Sequence, residues 1–270
     1  MSALGQPETD RADSVLRVAE DWPHQLVKVP WRITVWFWVI KILTTAIGES
    51  TSDYLVHRFN PYLVVVGGFG VFVAALAVQL KVRRYSPWIY WSAVLMVAVF
   101  GTMAADVLHI QFGVPYVASA ATFAVALAVI FTAWHASERT LSIHSIYTRR
   151  RERFYWAAVL ATFAMGTATG DLTAYTAKLG FLDSGVLFAI LFALPALAYR
   201  FFNLNAIVAF WIAYILTRPL GSSFADWVGK SRHAGGVQLG DGPVTAVLFL
   251  AIVACVAYVA RTGNDRASSA

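Results

Sequence analysis

Cysteine is almost missing from this 270-residue chain: Cys255 stands alone, so no disulfide framework and no CxxC pair exist. Charge is scarce as well. Only 13% of residues are Asp, Glu, Lys or Arg, against 59% hydrophobic and a mean hydropathy of +0.62, which is far more apolar surface than a soluble core of this length can hide. There is no HExxH, no GxSxG and no Walker-type phosphate loop, so hydrolysis by zinc, serine or ATP has no support in the sequence. The net charge of +6 does not point to nucleic acid, because no basic stretch is interleaved with stacking aromatics. A retinal photoreceptor is disfavoured too, since the last two apolar runs lack an embedded lysine, although Lys41 lies in the first.

What the chain does have is long apolar runs, at 33–57, 62–80, 87–109, 114–134, 154–177, 182–201, 204–228 and 243–260. Each approaches or exceeds the ~20 residues that a spanning helix needs. The expected fold class is therefore all-α: a polytopic membrane protein with eight transmembrane helices, filling residues 31–262 between an N-terminal tail (1–30) and a C-terminal tail (263–270). The first 30 residues mix both charges and lack the apolar core of a secretory signal. Lys and Arg alternate along the connections: Lys81, Arg83 and Arg84, then Arg139 with Arg149, Arg150, Arg151 and Arg153, then Arg200, are set against nearly neutral loops. The positive-inside rule then predicts both termini in the cytoplasm. Trp31, Trp88, Tyr90 and Tyr155, near the starts of runs, fit an interfacial aromatic belt.

The odd-numbered runs share a motif, [FY]-W-x9-G-x4-D, four times without a gap. Phe37-Trp38, Tyr90-Trp91, Tyr155-Trp156 and Phe210-Trp211 are followed ten residues after each Trp by Gly48, Gly101, Gly166 and Gly221, and then by Asp53, Asp106, Asp171 and Asp226. Four tandem two-helix repeats result, at about 33–82, 86–135, 152–202 and 203–261. A small residue precedes each Asp, four after the Gly, so each odd helix carries a small-xxx-small face suited to close helix approach. The tryptophans and glycines are expected to serve packing. Because each repeat holds two spans, successive repeats enter the membrane in the same direction, and the four aspartates should lie at one depth.

An ionisable group inside a span costs about 2.5–3.5 kcal/mol on insertion scales and normally faces a bundle interior or a wet cavity. Lys41, Thr45, Glu49, Asp53 and His57 follow one another at i+4, as do Tyr214, Arg218, Ser222, Asp226 and Lys230; the middle repeats carry Thr102 and Thr167 above Asp106 and Asp171. Each set is one slowly wrapping stripe on its helix. Beside a functional reading stands a purely structural one, in which these groups are internal ion pairs and hydrogen bonds that fix helix register; it weighs most for Asp106 and Asp171, whose own helices supply few charged companions. His57 and His109, at span ends, read as capping or solvated residues more readily than as metal ligands.

The segments WFWVIKILTTAIGESTSDYLVHRFNP, GTMAADVLH, GTATGDLTAY and LTRPLGSSFADW resemble a bacterial membrane-protein family defined only as a repeat of unknown function, often labelled uncharacterised membrane-anchored protein. The resemblance runs from about Pro30 to Arg261. It implies four two-span repeats in a bacterial cytoplasmic membrane and supplies no substrate or catalytic residue.

Function is therefore read from the polar residues. The leading expectation is a transporter of a small, divalent cation, with Asp53, Asp106, Asp171, Asp226 and Glu49 as hard oxygen ligands suited to Mg²⁺, Mn²⁺ or Ca²⁺, and with Lys41 and Arg218 as counter-charges. The cation would be the transported ligand; no cofactor motif is evident, and the partners expected are the lipid bilayer and a small ion or solute, not nucleic acid. One alternative is an anion or zwitterion carrier built on Lys41 and Arg218. Another is an intramembrane enzyme using paired aspartates, hinted at by Gly170-Asp171. A third is a membrane scaffold that docks partners or anionic lipid on the basic stretch from Glu138 to Arg153.

Overall fold

The computed structural model describes residues 28–265. The expected tails fall largely outside the described residues, which include only 28–30 of the first and 263–265 of the second. The described chain forms eight long helices and no strand: α1 (Val35–Arg58), α2 (Pro61–Lys81), α3 (Pro87–Ile110), α4 (Tyr116–Glu138), α5 (Arg149–Asp171), α6 (Gly180–Phe202), α7 (Ala206–Gly229) and α8 (Asp241–Thr262).

Local chemistry sets the boundaries. Asn60 caps α2 by accepting from the backbone N–H groups of Tyr62 and Leu63, with Pro61 pre-set at the first helical position, and Asn205 does the same for α7 through Ile207 and Val208. Asn203 at the end of α6 and Gly263 at the end of α8 take the left-handed conformation that stops a helix. The fifth helix starts at Arg149, five residues before the apolar run suggests, because Thr148 caps it through the Arg151 N–H. The run Arg149–Arg153 is thus a charged first turn of the helix, not a loop. After Asp171 the same helix widens into a π-turn over Leu172–Thr176, with Ala177 N–H bonded to Leu172 O at 2.9 Å.

The odd helices form the centre. α1 packs on α3, α3 on α5, α5 on α7, and α7 back on α1, closing a four-membered ring. Each even helix lies outside that ring, and it packs mainly on the first helix of the following repeat: α2 on α3, α4 on α5, α6 on α7, and α8 round to α1. Four repeats are thereby interlocked in a cycle.

Glycine makes the ring tight. A Cβ on Gly48 would stand 2.6 Å from Ala98 Cβ, one on Gly101 2.8 Å from Phe163 Cβ, one on Gly166 2.4 Å from Arg218 Cγ, and one on Gly221 2.0 Å from Thr45 Oγ1. In every case the residue met lies three before the equivalent glycine of the next repeat, so the four contacts are one contact repeated about an axis. The odd helices thus approach most closely at these four glycines.

Six of the eight helices are long and apolar enough to cross a membrane; α1 and α5 are long enough but too polar. The polar content of these two is turned inward: Lys41, Thr44, Thr45, Glu49, Ser50 and Ser52 of α1 and Thr162 and Thr167 of α5 are all buried. The apolar content of the even helices is turned outward, with Val66, Phe69, Val125, Val129, Ile190, Leu194, Val247 and Leu250 exposed. A molecule apolar outside and polar within is built for lipid, and the chain is an all-α protein of membrane type.

The N-terminal ends of the odd helices are closed by both ends of the described chain. Lys28 Nζ pairs with Glu152 at 2.6 Å and donates to Leu80 O at 3.1 Å, while the backbone N–H groups of Trp31 and Arg32 donate to Asp265 O at 2.9 and 3.3 Å.

Candidate functional site

Each odd helix presents one residue per turn to the axis of the ring, and the four repeats stack these residues in layers. From the N-terminal end the layers are Phe37, Tyr90, Tyr155 and Phe210; then Lys41, Val94, Val159 and Tyr214; then Thr45, Ala98, Phe163 and Arg218; then Glu49, Thr102, Thr167 and Ser222; then Asp53, Asp106, Asp171 and Asp226. Spacing of four on helices that lean against one another keeps the stripe on the axis over five layers.

Arg218 ties the middle. Wholly buried, it sends Nη2 to Glu49 Oε2 at 2.6 Å, to Thr167 Oγ1 at 2.7 Å and to Thr102 Oγ1, and Nη1 to Thr45 O at 2.9 Å. One guanidinium from the last repeat therefore binds all three of the other odd helices, in the layer just C-terminal to its own. The planar fork of donors makes arginine suited to that junction. Thr102 and Thr167, which the sequence shows only as polar matches of Glu49, thus share the Arg218 donor with it.

The acidic layer lies beyond this junction. Carboxylate oxygens of Glu49, Asp53 and Asp226 lie within 4.8 Å of one another, close enough to share one metal ion. Lys230, just past α7, ion-pairs with Asp53 and stands 3.8 Å from Asp226 Oδ1. Burial pulls the Lys230 ammonium down, but the Asp53 and Asp226 carboxylates more than offset this and hold it above the ordinary lysine range. Lys230, the end of the i+4 stripe of α7, thus reaches across to α1.

Asp106 and Asp171 differ from the other two. They are half-buried, make no hydrogen bond or ion pair among the described residues, and feel each other's charge and that of Glu49. The π-turn begins at the residue after Asp171.

Lys41 does not join the acids. Its Nζ sits 3.8 Å from the centroid of the Phe163 ring and 4.1 Å from that of Tyr214, with no hydrogen-bond partner among the described residues. Tyr90 and Tyr155 do not form the expected interfacial belt. Both are 1% exposed and their hydroxyls meet at 2.5 Å, because they continue the axial stripe one turn below Val94 and Val159.

Of the motif tryptophans, Trp91, Trp156 and Trp211 are buried, Trp211 donates from Nε1 to Leu141 O at 2.9 Å, and Trp38 meets Phe192 edge-on. His57 Nδ1 lies 2.7 Å from Asp53 O and His109 Nδ1 2.9 Å from Val114 O, so both serve helix ends. The basic stretch folds back on the body, where Arg151 Nε binds Glu138 Oε2 at 2.8 Å and His144 Nε2 meets Trp31 O at 2.8 Å.

A cyclic four-repeat helical bundle with an ionisable axis, of membrane type, is thus the class that fold and site define. The family model described as Repeat of Unknown Function (DUF347) matches four times, at residues 36–85, 89–140, 154–204 and 209–265. The chain belongs to that family, and each match covers one two-helix repeat. Comparison with curated proteins and with solved structures returns no match.

Proposed function

We propose that this protein is a multi-pass transporter of a small divalent cation, with all eight helices crossing a bacterial cytoplasmic membrane and both termini on the cytoplasmic side. The observation that carries the reading is the charge balance of the axis. Five carboxylates (Glu49, Asp53, Asp106, Asp171 and Asp226) share two cationic partners, Arg218 and Lys230, and among the described residues Asp106 and Asp171 are the two left without an ion pair. Two unneutralised carboxylates in an apolar bundle are costly unless a cation or protons visit them.

The arrangement supports a stepwise account. A hard cation would enter from the C-terminal end of the odd helices, take oxygen ligands from the aspartate layer and displace the Lys230 ammonium from Asp53 and Asp226. Arg218, held on Glu49, Thr102 and Thr167, would bar its further movement until that junction opens. Carboxylate and hydroxyl oxygens suit Mg²⁺, Mn²⁺ or Ca²⁺. The anion reading is disfavoured, since Arg218 is wholly buried and already bound to Glu49, while Lys41 is enclosed by aromatic rings.

The test is divalent uptake by proteoliposomes. Wild-type protein should carry at least one of the three ions, and Asp106→Asn or Asp171→Asn should cut uptake about tenfold or more, since ligand charge count tunes affinity. Folded wild type that carries none of them would overturn the reading.

A further inference from the structure

On the lipid side of the seam between α1 and α7 the side chains leave a cavity of about 730 Å³, walled by α1, α6, α7 and the connection between α4 and α5. Its size is that of pockets that hold small organic ligands. Trp38 and Phe210 border it with ring centroids 5.7 Å apart, and Phe210 also belongs to the first axial layer. The lining is apolar apart from Ser142, His144, Tyr199 and the Trp38 indole, and it contains no acid. Val35, Ala193 and Ala196 of the lining are exposed, so the cavity opens outward, while Ala209 and Ala213 are buried against the ring.

The next seam of the ring differs. Between α1 and α3 the equivalent space is about 10 Å³, bordered by Thr34, Phe37, Ile40, Trp91 and Val259 among others. Counted from the repeat motif, Trp36 and Ile40 stand there in place of Ala209 and Ala213. Counted back from Gly263 and Asn203, the left-handed residues that end α8 and α6, Val256 and Tyr258 stand in place of Ala196 and Ala198. Val256 is buried and the Tyr258 ring lies 4.7 Å from that of Trp36, so large side chains close this seam where alanines leave the other open. Small residues at these positions give up packing contacts that a hydrocarbon chain would restore.

We propose that this cavity binds one anionic phospholipid of the bilayer, with an acyl chain between α1, α6 and α7 and the phosphate at the mouth. Charge complementarity selects that occupant. Arg32 precedes the lining residue Ile33 and Arg200 follows the lining residue Tyr199; both are exposed, and neither has an ion pair among the described residues. Asp265, whose carbonyl accepts from the Arg32 N–H, is buried with its carboxylate on Tyr85. The guanidinium fork matches phosphate oxygens. The site rests on the membrane type of the fold and not on the transport reading. A chain seated on Trp38 and Phe210 braces the α1–α7 seam that Arg218 and Glu49 close deeper in the bundle, and a ligand that binds only the folded protein raises its stability.

The test mixes the full chain in detergent with phosphatidylglycerol or with phosphatidylcholine of the same acyl chains, counts bound lipids by native mass spectrometry and follows stability by thermal melts. One phosphatidylglycerol should stay bound per chain, about tenfold or more tighter than phosphatidylcholine, and should raise the melting temperature. Ala196→Phe, on the exposed wall, should lose that lipid by filling the cavity, whereas Val125→Phe, on the outer side of α4, should keep it. Arg32→Gln and Arg200→Gln, at exposed positions, should each weaken binding about fivefold, the worth of one basic side chain at an anionic surface. Equal retention of the two lipids, or an Ala196→Phe protein that binds as wild type does, overturns the assignment. So does a dimer that Ala196→Phe dissociates, since a second copy would then be the occupant. No divalent ion enters these measurements, so their failure leaves the transport reading standing, and a failure of transport leaves the lipid site standing.

Discussion

Arg218 Nη2 lies 2.6 Å from Glu49 Oε2, and these two residues come from the last and first repeats, 169 positions apart. The pair bridges the seam where the ring of odd helices closes, in surroundings that exclude water from both partners. A buried ion pair is strong only while complete, since removing one member leaves the other charged and unpaired.

Arg218→Leu should accordingly destabilise the protein by about 3–5 kcal/mol. It strands Glu49 and removes the donor shared by Thr102 and Thr167. Adding Glu49→Gln should return part of the loss. Denaturant unfolding in detergent, followed by tryptophan fluorescence, measures both; a double variant no more stable than Arg218→Leu would show that the charge on Glu49 is not the source of the damage.

Glycine substitutions should divide sharply by position. Gly221→Ala drives a methyl to 2.0 Å from Thr45 Oγ1 and 2.9 Å from Ala46 N, which is backbone, so the α1–α7 contact must open at a cost of about 1–3 kcal/mol. Gly67→Ala and Gly70→Ala, on the outer helix α2, meet nothing within 4 Å and should be neutral or gain up to about 1 kcal/mol of helix propensity. Thermal melts of the three variants side by side decide it.

Lys230 links stability to pH in a defined sense. Its folded value is raised above that of the unfolded chain, so its contribution is fully present below the ordinary lysine pKa of ~10.4 and is lost only as pH rises through the folded value. Stability of wild type relative to Lys230→Met should therefore be flat from about pH 6 to 9 and should narrow only in strong alkali. Because the ammonium stays charged throughout, Lys230→Met should also tighten divalent binding at neutral pH, measurable by calorimetry.

Much of this architecture is readable from the sequence, and the reasons are specific. A motif fixed at W-x9-G-x4-D betrays four equivalent helices, and capping by Asn60 and Asn205 marks two helix starts. Which helix meets which is not readable in the even helices, because a segment apolar on all sides carries no directional stripe. Tyr90 and Tyr155 fit an interfacial belt in sequence and are core in the structure for a related reason: an aromatic near the start of a span suits the interface and the core equally well, and only their place one turn below Val94 and Val159 separates the two. The i+4 spacing shows Lys230 beside Asp226, but its pairing with Asp53, 177 positions away, is a contact between repeats that no spacing within one helix reveals.

The cyclic interlocking of repeats has a bearing on biosynthesis. Helices α3, α5 and α7 each receive their outer partner from the segment made just before them, so those pairs can form as the chain emerges. α1 alone must wait for α8, made after all the other described helices, to cover its outward side, and Glu49 must wait for Arg218 on α7. The first of the described helices is thus the last to be enclosed, and a chain cut short before Asp241 cannot complete the cycle however well its first three repeats have assembled.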